Sequence, residues 1–363
     1  MQKKHNILIC SGGTGGHMLP AMRLGDLLIK EDHHVIFSGM GLSKNPYFEK
    51  EKFIYFDIPS SPVKIFRPFK MLSRWIRGLI KSFFLMRRFK PKIVVGFGSF
   101  HTFPLLLCAK ILKIRYVLFE ANVSVGKVNR LFLKKANKVA TLFSDEKNMR
   151  IVDLNILTYH MKTMPKDEAK ERLHLNKDVF TLLVFGGSQG ASFINEIVGK
   201  LAEKYQKSLQ IIHITGSEIE KEKMQKIYKS KKISSYVAVF EKNMSLIYSA
   251  ADLAITRAGG ATMAELVYFL LPSIMIPYPF ASEDHQKENA LFFQNVIGGG
   301  KCFSQNEIKP DLLLQTIENL SQNDQLKKLK KNLLFYKEKR KNMKEIPLHK
   351  LIYQSLKEEN NYG

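Results

Sequence analysis

Cysteine is scarce in this chain, acidic residues are under-represented and no long apolar run stands unbroken. The three thiols, Cys10, Cys108 and Cys302, are odd in number and far apart, which excludes a disulfide framework and a Cys-X-X-Cys metal or redox site. A reducing cytoplasm is the expected setting. The basic start, MQKKHNILIC, leads into an apolar run too short for a signal-peptide core, so it is read as a first strand. The longest uncharged stretch, Leu266 to Ser282, holds Pro272, Pro277 and Pro279, which break a helix. It is expected to be a helix end followed by a buried strand and a loop, not a membrane span. The shortage of acid is the strongest imbalance: 33 Asp+Glu face 57 Lys+Arg, a formal charge of +24 that calls for an anionic partner or surface.

What is present has the pattern of two similar halves. A length of 363 residues suits two domains of roughly 150–200 residues each. Short β-branched runs at Asn6–Cys10, Val35–Ser38, Ile93–Gly96, Tyr116–Phe119 and Lys138–Thr141 alternate with amphipathic stretches, which predicts a parallel sheet covered by helices. The pattern lapses from Ser144 to about Asn176. It resumes with strands at Phe180–Phe185, Ile211–Thr215, Val237–Phe240, Leu253–Thr256 and Ile274–Ile276, and with helices over 191–206, 260–269 and 284–296. The boundary falls within 150–165, giving domains 1–155 and 156–363. A Lys-rich C-terminal helix beginning near Asn323 is expected to pack back on the first domain.

Each half opens with a strand that runs into a glycine cluster and then a helix: ILICSGGTGGH over 7–17 and LLVFGGSQGA over 182–191. Such a turn lets backbone N–H groups approach a phosphate or a crowded sugar while the helix N-terminus adds partial positive charge. The first cluster is not a dinucleotide fingerprint, because Met18 stands where the third glycine belongs, and it lacks the Lys-Ser/Thr of a P-loop. His17 follows the glycines at a helix start. Two readings stand for it: a general base for an attacking hydroxyl, or a capping histidine. A third cluster, TRAGGATMAE over 256–265, opens a helix toward a diphosphate and sets Glu265 about one turn in, where a carboxylate can accept from ribose hydroxyls. Gln286 and Asn289 share a helix face and present amides suited to sugar hydroxyls.

With GGTGGH at 12–17, FGSFHTFP at 97–104, EAN at 120–122, GGSQGA at 186–191, RAGGATMAE at 257–265 and DHQKENA at 284–290, nearly the whole chain resembles the MurG family of peptidoglycan N-acetylglucosaminyltransferases. The resemblance implies an α/β GT-B fold, two Rossmann-like domains with parallel sheets facing a central cleft, the first for the acceptor and the second for the donor. It implies inverting transfer of GlcNAc from UDP-GlcNAc to the C4 hydroxyl of an undecaprenyl-linked muramoyl-pentapeptide. By carry-over, Thr14, Gly15, Gly16 and Asn122 touch the donor sugar or phosphates, Ser188 the diphosphate, Gly260, Ala261, Thr262, Met263, Ala264 and Glu265 the nucleotide, and Gln286 the GlcNAc hydroxyls. His17 leads as general base and Glu120 is the alternative. No Asp-X-Asp occurs, so a metal-independent site without a cofactor is expected. The sequence departs from the family at Thr158, where an arginine is usual, at Phe119, and at Ser99 and Phe100 in a loop that is usually Gly-Tyr.

Between Val63 and Lys90 nine cations occur with no acid: Lys64, Arg67, Lys70, Arg74, Arg77, Lys81, Arg87, Arg88 and Lys90. From Pro68 the stretch can form a helix with Leu72, Trp75, Ile76, Leu79, Phe83 and Met86 opposite the cations, the composition of an interfacial helix. Arg74, Trp75, Arg77, Lys81 and Phe83 are the candidates for contact with an anionic membrane surface, at the cytoplasmic face of a bacterial inner membrane. The alternative is a Rossmann helix with an apolar core face and solvated cations. Three rival functions remain: another GT-B glycolipid enzyme, a UDP-sugar epimerase, and a nucleic-acid-binding protein. The last would explain the charge but leaves the glycine loops without a purpose, and no RNA or DNA motif accompanies it.

Overall fold

The computed structural model describes residues 4–62, 68–143, 149–156, 162–187, 190–204, 209–281, 284–343 and 345–357. The chain forms two compact units, Met1–Tyr159 with Met343–Gly363, and His160–Asn342. Among the described residues the first holds seven parallel strands: β1 (Asn6–Cys10), β2 (His34–Gly39), β3 (Tyr55–Asp57), β4 (Ile93–Gly96), β5 (Arg115–Glu120), β6 (Lys138–Thr141) and β7 (Met149–Ile151). The second holds six: β8 (Thr181–Phe185), β9 (Gln210–Ile214), β10 (Ser234–Ala238), β11 (Leu253–Thr256), β12 (Ser273–Met275) and β13 (Gly300–Cys302). The central strands β4 and β8 are buried along their whole length, as strands covered by helices on both faces must be.

Strand order carries the functional geometry. In the first unit it is β3-β2-β1-β4-β5-β6-β7 and in the second β10-β9-β8-β11-β12-β13. The order reverses between β1 and β4, and again between β8 and β11. In an open parallel sheet such a reversal leaves a crevice at the carboxyl ends of the two strands, because their connections leave in opposite directions. The loops at those ends are GGTGGH after β1, GSFH after β4, GGSQGA after β8 and RAGG after β11, so each glycine cluster lies at a crevice. Register confirms that the loops start level: Cys10 pairs with Gly96, and Phe185 with Thr256.

Several elements differ from the sequence reading. The three-residue strands β3, β7 and β13 carry no usable apolar pattern, and β10 begins three residues before the expected run because its exposed Ser234 and Ser235 still complete the ladder with β9. The helix expected over 284–296 is α-helical at His285–Phe292 and π-helical at Phe293–Ile297. The C-terminal basic region is two helices. Asn323–Asn342 stays in the second unit, where Lys337 donates to the Tyr268 carbonyl at 2.7 Å. Leu348–Lys357 belongs to the first, so that unit is not continuous in sequence: Ile346 bridges to Val152, and the Arg115 guanidinium donates to the carbonyls of Ser355 and Leu356 at 3.2 and 2.8 Å. The stretch Leu266–Ser282 contains the end of helix Gly260–Tyr268 followed by buried β12. No helix among the described residues is long and apolar enough to cross a membrane.

Candidate active site

The crevice of the first unit is built on β1, β4 and β5. Thr14 caps helix Gly15–Lys30 in an extended conformation, and His17 lies in that helix's first turn, with its carbonyl accepting from the Ser11 hydroxyl at 3.2 Å. The Asn45 amide donates to the Gly13 carbonyl at 2.8 Å and holds the loop from the other side. The glycines have a reason the sequence did not disclose. A Cβ at Gly12 would stand 2.7 Å from Cβ of His101, and one at Gly13, where φ is +86°, 3.1 Å from the His101 ring. The loop is therefore bare there because an imidazole from the loop after β4 packs against it, whereas a Cβ at Gly16 would meet only the Thr14 hydroxyl, at 3.8 Å.

His101 was not among the expected site residues. Its Nδ1 pairs with the Ser99 hydroxyl at 2.8 Å and its ring stacks on Phe100 at 3.9 Å. Burial, and then the proximity of His17, push its pKa down to about 4, so it is neutral at physiological pH. Ser99 itself sits at φ 67°, ψ 156°, a region that non-glycine residues avoid. A glycine would suffer no such strain there, but it would lack the hydroxyl that bonds His101.

Glu120, the alternative base, ends β5 in a buried position where four donors converge. The backbone N–H and the side-chain amide of Asn122 reach Oε1 at 3.1 and 3.0 Å, while the Gly126 N–H and the Asn129 amide reach Oε2 at 3.0 Å each. Asn129 also donates to the Phe119 carbonyl at 3.0 Å. A carboxylate so fully engaged organises the loop that carries Asn122 and has no lone pair to spare for a substrate proton. Phe119 lies in the core against Phe97, 5.0 Å between centroids.

In the second unit, Gly186, Gly187 and Gly190 follow β8. Gly187 and Gly190 have φ of +78° and +69°, and a side chain at Gly186 would collide with the Ala191 backbone at 2.3 Å. Ser188 lies outside the described residues, as does Thr158. Across the crevice, Gly259 caps helix Gly260–Tyr268 with no side chain of its own, so the first N–H groups are left for a ligand. Met263 and Ala264 point into the core and can meet a nucleotide only through their backbone, whereas Ala261 and Thr262 are half-buried. Glu265 is buried, its pKa pushed up to about 7 by burial and partly restrained by the Tyr248 hydroxyl, which donates to Oε2 at 2.7 Å.

Arg257 braces the site: its guanidinium donates to the Ile276 and Pro277 carbonyls at 3.0 Å each and lies over the Tyr278 ring. Gln286 accepts from the Tyr278 N–H at 2.9 Å, which leaves its amide NH₂ to donate. Asn289 does not share that role. It is fully buried and donates to the Ala258 carbonyl at 2.9 Å, tying helix His285–Phe292 to the loop after β11.

The basic stretch is helical over Pro68–Phe89; Lys64 and Arg67 lie outside the described residues. The helix has two apolar stripes. One, with Trp75, Leu79, Leu85 and Met86, faces its own unit, and the Trp75 indole N–H donates to the Ser61 carbonyl at 2.9 Å while its ring packs on Phe103 at 4.9 Å. The expectation that Trp75, Leu79 and Met86 face a membrane is thereby corrected. The other stripe, Phe69, Leu72, Ile76, Ile80 and Phe83, is exposed, with Phe69 at 87% and Ile80 at 52%. Arg74, Arg77 and Lys81 are exposed beside it.

Two Rossmann-like units, each with a glycine loop at its switch point, have the architecture of the GT-B glycosyltransferases. The glycosyltransferase family 28 N-terminal domain matches residues 7–141 and the family's C-terminal domain residues 181–346. The chain is 39% identical over 342 residues to the UDP-N-acetylglucosamine–N-acetylmuramyl-(pentapeptide) pyrophosphoryl-undecaprenol N-acetylglucosamine transferase of Protochlamydia amoebophila, covering 91% of each chain. It is 33% identical to the protein of that name from Chlamydia muridarum, over 87% of this chain and 90% of the relative. Among solved structures, Acinetobacter baumannii MurG superposes with a TM-score of 0.78 at 23% identity, covering 97% of this chain and all of that one. A kitacinnamycin glycosyltransferase superposes at 0.72 with 13% identity, over 98% of this chain and 100% of the other. The chain belongs to the MurG family.

Proposed function

We propose that this enzyme transfers GlcNAc from UDP-GlcNAc to the C4 hydroxyl of undecaprenyl-pyrophosphoryl-N-acetylmuramoyl-pentapeptide, with inversion and without a metal ion. The observation that carries the reading is the bare helix N-terminus at Gly260 beside buried Glu265, in a chain 39% identical to a transferase of that name. The second unit takes the donor. Glu265 accepts from the ribose, the unpaired N–H groups of Gly260, Ala261 and Thr262 together with Ser188 meet the diphosphate, and the free amide of Gln286 donates to the GlcNAc hydroxyls. Thr14, Gly15, Gly16 and Asn122 complete the contacts to the donor sugar and phosphates.

The first unit takes the acceptor. His17 removes the proton from the C4 hydroxyl as its oxygen bonds to the anomeric carbon, and the bond from that carbon to the diphosphate breaks on the opposite face. The charge that UDP carries away is met by N–H groups and helix dipoles fixed before the reaction starts. Turnover is therefore expected to persist in EDTA. Abolition by the chelator, with recovery on adding magnesium or manganese, would contradict this.

The exposed stripe of helix Pro68–Phe89 with its row of cations rests on an anionic membrane surface, where each cation adds about 1 kcal/mol. Ile76 and Ile80 are each about half exposed, so burying the rest of both in lipid adds about 1.5–3 kcal/mol. Ile76→Glu with Ile80→Glu is expected to cut binding to phosphatidylglycerol vesicles more than about tenfold while leaving the melting temperature unchanged. Trp75→Ala should do the reverse and lower the melting temperature. Unaltered vesicle binding by the double variant would remove this helix from the membrane contact.

A further inference from the structure

We propose that Tyr248 is a positioning residue that makes the donor site select ribonucleotides over 2′-deoxyribonucleotides, by holding the Glu265 carboxylate ready for the ribose hydroxyls. This rests on the reading of Glu265 as the ribose acceptor. Tyr248 sits in helix Met244–Ala250, which leads into β11, and Glu265 in helix Gly260–Tyr268, which leaves it, so the pair flanks the strand at the switch point. The hydroxyl donates to Oε2 at 2.7 Å, and among the described residues it is the one hydrogen-bond partner of the Glu265 side chain. Oε1 is left for a ligand.

The tyrosine is locked. Its ring is buried between Phe185, the last residue of β8, at 5.8 Å and Phe269 at 5.1 Å, so the hydroxyl cannot swing away without disturbing the core. Its position gives it a chemical task. A buried carboxyl tends to stay protonated, and a protonated carboxyl offers a donor of its own to hydroxyls that need acceptors. Burial raises the Glu265 pKa to about 7, and the Tyr248 hydroxyl acts in the opposite direction. The tyrosine thus fixes the rotamer of the carboxylate and favours the ionised form, which accepts from the ribose.

The test is calorimetric titration of UDP and 2′-deoxy-UDP into the wild type, Tyr248→Phe, Glu265→Gln and the double variant, with melting temperatures alongside. Phenylalanine keeps the ring and removes only the hydroxyl. Tyr248→Phe is expected to weaken UDP about tenfold and 2′-deoxy-UDP much less, so that discrimination between them falls. The double variant should lose no more discrimination than Glu265→Gln alone, because both changes act on one carboxylate. Equal losses for the two nucleotides, or additive losses in the double variant, would overturn the proposal and leave Tyr248 a packing residue. Full discrimination in Glu265→Gln would instead sink the ribose reading of Glu265, an outcome distinguishable from the failure of Tyr248.

Discussion

His17→Ala is expected to lower turnover about 10²–10⁴-fold, the usual reach of general base catalysis, with donor affinity and melting temperature nearly unchanged. The histidine lies in the first turn of helix Gly15–Lys30, at the crevice where the loops after β1 and β4 meet, and neutral His101 packs against the loop that carries it. Its rival is differently placed. Glu120 receives four hydrogen bonds, so Glu120→Ala removes the shared acceptor that ties the part-buried donors of Asn122 and Gly126 and the buried amide of Asn129 together. That variant should act mainly through a lowered melting temperature. Full turnover in folded His17→Ala would defeat the base assignment, and a lowered melting point with normal turnover would make His17 a structural residue.

Glu265→Ala is expected to weaken UDP-GlcNAc binding by about 1.5–3 kcal/mol, the range for hydrogen bonds to a charged group. Alanine also strands the Tyr248 hydroxyl in a buried site, so Glu265→Gln, which keeps an acceptor there, separates loss of charge from loss of packing. The same residue gives donor binding a pH dependence. The carboxyl has its pKa raised to about 7, and the ionised form is the one that accepts from ribose. Affinity should therefore rise as pH rises through about 7 and level off above it, and that limb should vanish in Glu265→Gln. Unchanged affinity in both variants would remove Glu265 from the pocket.

What the sequence disclosed and what it withheld follow from how far each signal reaches along the chain. The central strands and the two strand–glycine–helix turns were legible because a buried parallel strand and its turn are contiguous apolar and glycine residues. Strands β3, β7 and β13 were not, since three residues that complete a sheet edge owe their conformation to a neighbouring strand. Gly12 and Gly13 were read as room for a ligand; the structure adds that they leave room for His101, which arrives from the loop after the neighbouring strand β4, about ninety residues on in sequence. Tyr248 escaped for the same reason, being 17 residues from the carboxylate it binds. Trp75 was assigned to the wrong stripe because helix Pro68–Phe89 has two, and spacing alone cannot say which one the rest of the unit covers.

The central claim is transfer of GlcNAc to a lipid-linked muramoyl acceptor, and the measurement that meets it most directly is incubation with labelled UDP-GlcNAc and undecaprenyl-pyrophosphoryl-MurNAc-pentapeptide in EDTA. The account predicts label in a lipid-linked disaccharide with one UDP released for each GlcNAc transferred. Free epimerised sugar, or UDP released without any labelled lipid, would contradict it.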